Sequence, residues 1–100
     1  MDRKEMEAEL IRRYRQDEEM MILVFAQWCV NQGLDPMELY ERAYPHQLAN
    51  PALAHALELA VPKEEAGEIA DDTLLSVLSL YDNADLAFVV SEEIARRKRR

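Results

Sequence analysis

The chain has 100 residues, 49% of them hydrophobic and 32% charged, with a formal net charge of −8. That is enough for a single domain, 1–100, to bury a core without disulfides or a metal, and too apolar for a disordered chain. Two glycines and four prolines are too few turn-formers for an all-β fold, so the composition points to long helices.

Charge is unevenly placed. Residues 1–16 carry +1, residues 17–95 carry −14 with only Arg42 and Lys63 as bases, and residues 96–100 carry +5. A body that acidic repels phosphate backbones, so any nucleic-acid contact has to run through the ends.

From Asp2 to Gln32 there is no glycine or proline, and Leu10, Ile11, Tyr14, Met21, Phe25 and Trp28 recur at helical spacing. One continuous helix is expected, although Asp17, Glu18 and Glu19 would also suit the first turn of a second one. Glu9 and Arg13 form a favourable acid-before-base pair on it. Its C-terminal part is unusual: of the eleven residues Met20 to Val30, only Gln27 is polar. The run is too short for a bilayer, which needs about 20 apolar residues, and the acids before it are the wrong flank for a signal peptide. Cys29 is the only cysteine, so no intrachain disulfide can form. A cytoplasmic protein with no membrane association is the expectation.

On a helical wheel Leu10, Tyr14, Met21, Phe25 and Trp28 make an ordinary core face with Cys29 at its border. Ile22, Leu23, Ala26 and Val30 cover an adjoining sector, and Met20 and Val24 interrupt the polar strip of Gln27 and Asn31. A helix apolar nearly all round must be surrounded, either by the other helices of its own chain or by a second copy. Met20, Ile22, Leu23, Ala26 and Val30 are therefore the candidate subunit interface, and a homo-oligomer is expected.

The segment Met20–Phe25 is also compatible with a buried strand, but the residues after it favour a helix. Gly33 is placed for a left-handed helix stop, with Leu34 packing back on Cys29 or Trp28. Asp35-Pro36-Met37-Glu38 then supplies a cap, a first-turn proline and a capping-box acid, with Leu34 set to staple to Leu39. The second helix runs from Pro36 to about Tyr44. A third repeats the device with Asn50 and Pro51 and stops before Pro62. Residues 62–72 read as an exposed acidic loop, after which Asp71 or Asp72 caps a fourth helix, Thr73 to Tyr81. Asp82-Asn83 breaks it. The last helix, Ala84 to about Lys98, should bury Leu86, Val89, Val90 and Ile94 and pair Glu92 with Arg96 and Glu93 with Arg97. The expected fold is all-α: a single small bundle of about five helices, the long N-terminal one packed by shorter ones.

Chemistry-bearing residues are sparse. Cys29 lies in an apolar face with no cationic neighbour in sequence, which suits an inert thiol rather than a nucleophile paired with His46 or His55. His55 and Glu58 share a helix face at i, i+3, but the other ligands of a bundle metal centre are missing. Glu64, Glu65, Glu68, Asp71 and Asp72 lack the ligand spacing of a calcium loop. The second helix offers Glu38 and Glu41 against one base, Arg42, so it is no recognition helix. No catalytic, cofactor-binding or metal residue is assigned, no cofactor is expected, and enzymatic activity is not. Arg96-Arg97-Lys98-Arg99-Arg100 is the candidate phosphate-binding tail; the competing reading is that these cations complete the last helix by complementing its dipole, pairing with Glu92 and Glu93 and leaning on another acidic surface. The function expected is protein–protein interaction by a homo-oligomer, with a basic protein as a further candidate partner. The alternative is a regulatory or accessory factor touching nucleic acid through the tail.

Overall fold

In the computed structural model α1 runs without a break from Arg3 to Asn31, so Asp17, Glu18 and Glu19 continue a helix rather than open one. The structure describes the backbone of residues 3–47 and 50–98 and, within α1, the side chains of Glu5 and of residues 18–31. Leu10, Ile11, Tyr14 and the Glu9–Arg13 pair fall outside the described side chains. Five further helices come after it: α2 (Pro36–Ala43), α3 (Pro51–Leu59), α4 (Lys63–Ala66), α5 (Asp71–Leu80) and α6 (Ala84–Lys98). Among the described residues there is no strand, and the fold is a small all-α bundle.

The end of α1 is a full Schellman motif. Gly33, at φ 72°, donates its N–H to Val30 O at 3.1 Å, and Leu34 donates to Cys29 O at 2.8 Å. Asp35 then caps α2, its carboxylate accepting from Met37 N at 3.0 Å with Pro36 in the first turn. Asn50 does the same for α3, accepting from Ala52 N at 2.9 Å. The motif that closes α1 recurs at the end of α5 without a glycine: Asp82 N bonds Ser79 O at 3.0 Å, Asn83 N bonds Leu78 O at 2.9 Å, and Asp82 takes the left-handed conformation at φ 57°.

Two expectations from the sequence are corrected by the fold. Residues 62–72 are not wholly loop, because Lys63–Ala66 close a single helical turn that ends at Gly67. Asp71 does not cap α5 either. It sits inside the first turn, Ala70 holds the cap position without a side-chain bond, and the Asp71 carboxylate is turned to Trp28 and Arg97.

The core is built on the C-terminal third of α1. Met21, Ile22, Phe25, Ala26, Trp28 and Cys29 are buried together with Leu39 of α2, Leu53 and Ala56 of α3, Leu74 and Leu78 of α5, and Leu86, Val89 and Val90 of α6. Ile94 is half-buried. Helix α1 packs against α2, α3, α4 and α5, while α6 packs on α2 and α5. At 1.5 Å per residue α1 is about 43 Å long, and the molecule is accordingly drawn out to 57 × 31 × 24 Å.

Candidate functional site

The polar strip of α1 has a definite task. Gln27 grips one residue of the α3–α4 connection with both ends of its amide: Nε2 donates to Val61 O at 2.8 Å and Oε1 accepts from Val61 N at 3.0 Å. The same Nε2 donates to Asn31 Oδ1 at 3.0 Å, which leaves Asn31 Nδ2 to donate to Gly67 O at 3.0 Å. Asn31 is only 7% exposed. One turn of helix thus satisfies main-chain groups of a segment that has little regular structure of its own. Beside it, Trp28 Nε1 donates to Asp71 Oδ1 at 3.1 Å, and Arg97 of α6 donates to Asp71 Oδ2 and to Gln32 Oε1.

These bonds decide where the basic tail points. Arg97 pairs with Asp71 rather than with Glu93, and Arg96 pairs with Glu93 at 3.1 Å rather than with Glu92. Glu92 and Glu93 instead receive Arg42 from α2, at 3.4 and 2.6 Å. Lys98's side chain, Arg99 and Arg100 lie outside the described residues. Of the five tail cations, the two whose side chains are described both bind acids of this chain.

The sector proposed as a subunit interface divides on inspection. Ile22 and Ala26 are fully buried by the chain's own helices, and Leu23 and Val30 are partly buried. Met20 is 58% exposed. Periodicity puts Ile22, Leu23, Ala26 and Val30 in one sector and Met20 in the neighbouring polar strip, yet a wheel does not show that other helices of the chain already cover Ile22 and Ala26. What remains open is an apolar groove of about 440 Å³ between α1 and α3. Glu19, Met20 and Leu23 form one wall. Ala52, His55, Ala56 and Leu59, at i, i+3, i+4 and i+7 on α3, form the other. Leu59 is 54% exposed, and Glu18, Glu19 and Glu58 are exposed acids on the helices that flank the groove.

Other candidate residues stand apart. Cys29 is fully buried, and burial, followed by the charges of Asp35 and Glu93, pushes its thiol far above the ordinary range, so a thiolate is strongly disfavoured. His46 is exposed in the turn after α2, and His55 is exposed beside Glu58 at 4.0 Å. Among the described residues no three His, Cys, Asp or Glu side chains converge as a metal site, and no helix is long and apolar enough to cross a membrane. The sequence reading missed the α3 wall of the groove. Its signal was the spacing of Ala52, His55, Ala56 and Leu59, which share one face of α3.

The architecture is that of a small all-α protein that folds around one long helix and offers a surface groove. The chain belongs to the YxiS family, whose model matches residues 2–95. It is similar to the Bacillus subtilis (strain 168) protein named "Uncharacterized protein YxiS", with 53% identity over 93 residues that cover 92% of this chain and 97% of the relative. No solved structure matches the chain.

Proposed function

We propose that this protein works by protein–protein contact, with no chemistry of its own, and that it self-associates through the α1–α3 groove. The observation that carries the reading is that the half-exposed side chains of Met20 and Leu59 line one groove together with Leu23, Ala52 and Ala56. Large apolar side chains gathered in one concave patch, rather than scattered singly, are what a helix-binding surface uses. The buried thiol supports the absence of nucleophilic chemistry, and the pairing of Arg96 and Arg97 with Glu93 and Asp71 weakens the case for phosphate binding. Light scattering on the purified chain from about 1 to 100 μM, a range that brackets micromolar affinities, tests it. A mass rising to twice that of one chain is expected. A single-chain mass throughout would refute self-association.

A further inference from the structure

The groove has two walls and acids on its flanking helices, and the chemistry of its occupant can be read from these. A groove between two helices, with Met20 and Leu23 on one side and Ala52, Ala56 and Leu59 on the other, suits the apolar face of a third helix. That helix should also carry bases, since Glu19 lines the groove and Glu18 and Glu58 are exposed acids of the same two helices. One segment with both properties belongs to this chain. The first half of α1 has Met6, Leu10 and Tyr14 at i, i+4 and i+8 with Ile11 alongside, and its bases, Arg3, Lys4, Arg12, Arg13 and Arg15, outnumber its acids, Glu5, Glu7 and Glu9.

The segment cannot reach the groove of its own molecule. Because α1 is a continuous helix through residues 3–31, Leu10 lies about 15 Å along the same axis from Met20, and a straight helix cannot fold back beside itself. The groove and the stripe can meet only between two copies. We infer that the protein dimerises by reciprocal arm exchange, the N-terminal half of α1 of each copy lying in the α1–α3 groove of the other. This rests on the proposed self-association and adds which surfaces meet. Such an exchange closes on itself, so it yields a dimer rather than an open filament.

The test uses two full-length variants and their mixture. Leu59→Lys places a cation in the groove at a half-exposed position, and Leu10→Asp places an anion in the stripe. Each homodimer would then have both junctions damaged, and each variant should associate at least about tenfold more weakly than wild type, the equivalent of losing one buried leucine. An equimolar mixture should recover much of the association, because each mixed dimer retains one undamaged arm in one undamaged groove. The damaged junction in that dimer opposes an aspartate to a lysine. Circular dichroism melts establish that both variants fold, and Met20→Lys replaces Leu59→Lys if it does not. A wild-type chain that stays monomeric overturns self-association itself. A wild-type dimer that both variants preserve, or a mixture that recovers nothing, overturns arm exchange alone.

Discussion

Replacing Gln27 measures how much one polar side chain in an apolar helix contributes to the fold. Gln27→Met keeps the length and removes all three amide hydrogen bonds, two to Val61 and one to Asn31. A neutral hydrogen bond contributes about 1 kcal/mol net, and more when its loss strands a buried partner. Val61 is only half-buried, so water can replace part of what it loses. The expected loss is therefore about 2 kcal/mol, or roughly 8–16 °C in Tm for a domain of this size. Urea unfolding followed by circular dichroism gives the number, and exchange of the Val61 amide hydrogen should accelerate by more than the global loss if the connection opens locally. Gln27→Glu sharpens the test. Its carboxylate still accepts from Val61 N but faces Val61 O and Asn31 Oδ1, so its folded-state pKa lies above the usual carboxylate value of about 4.3. A raised acid pKa means the penalty is full above the folded pKa and is relieved as pH falls through it, when the protonated acid can donate again. The gap between wild type and Gln27→Glu should narrow from pH 7 to pH 4. A Gln27→Met variant within about 0.5 kcal/mol of wild type, the range of an ordinary surface change, would refute the structural role given to this side chain.

Three further outcomes can be checked on the same instruments. Arg97→Met keeps the aliphatic stem and removes the bonds to Asp71 and Gln32, so it should cost about 1 kcal/mol after allowing for solvent screening; an unchanged urea midpoint would count against that cluster. Cys29 should resist a thiol-specific aromatic disulfide at pH 8 and react at once in denaturant. Because its folded pKa is raised, the stability it confers is complete below the unfolded thiol value of about 8.5 and declines above it, by up to about 1.4 kcal/mol per pH unit. Tyr44 is also raised, by burial first and Asp85 next, so the stability it confers declines only as pH approaches its unfolded value of about 10, above the onset for Cys29. Cys29→Ala should flatten the slope between pH 8.5 and 9.5, and an unaltered slope would show that another group controls it. Asp82→Gly relieves a non-glycine residue of φ 57° in the turn after α5 and should stabilise the protein by about 0.5–1 kcal/mol; a lower Tm in a thermal melt would contradict this.

The helix ends were legible in the sequence because their signals are local. Gly33 with Leu34, Asp35 with Pro36 and Asn50 with Pro51 each bond to backbone within five residues, and each formed as the residue types imply. The same local rule misassigned Asp71. Its position before an apolar helix suits a cap, but two donors from elsewhere, Trp28 and Arg97, compete for the carboxylate and draw it into the first turn instead. A charge-assisted bond to Arg97 plus an indole N–H offers more than one backbone amide at an exposed terminus.

Non-local pairing is what a one-dimensional pattern cannot supply. Glu93 has two arginines within reach along its own helix, Arg96 and Arg97, and the i, i+4 rule favours the second. In the fold the Glu93 carboxylate takes Arg42 from α2 and Arg96 from α6, which frees Arg97 to cross to Asp71. The polar strip of α1 obeys the same logic. On a wheel, Gln27 and Asn31 look like the solvent face of a helix that barely has one. Their amides are instead committed to Val61 and Gly67, main-chain positions more than thirty residues away in sequence. Once that strip is covered by the 61–67 segment and the sector of Ile22 and Ala26 by the chain's own core, the remaining exposed apolar surface described on α1 centres on Met20. A question about a whole helix face thereby becomes a question about one groove, small enough for two substitutions to answer.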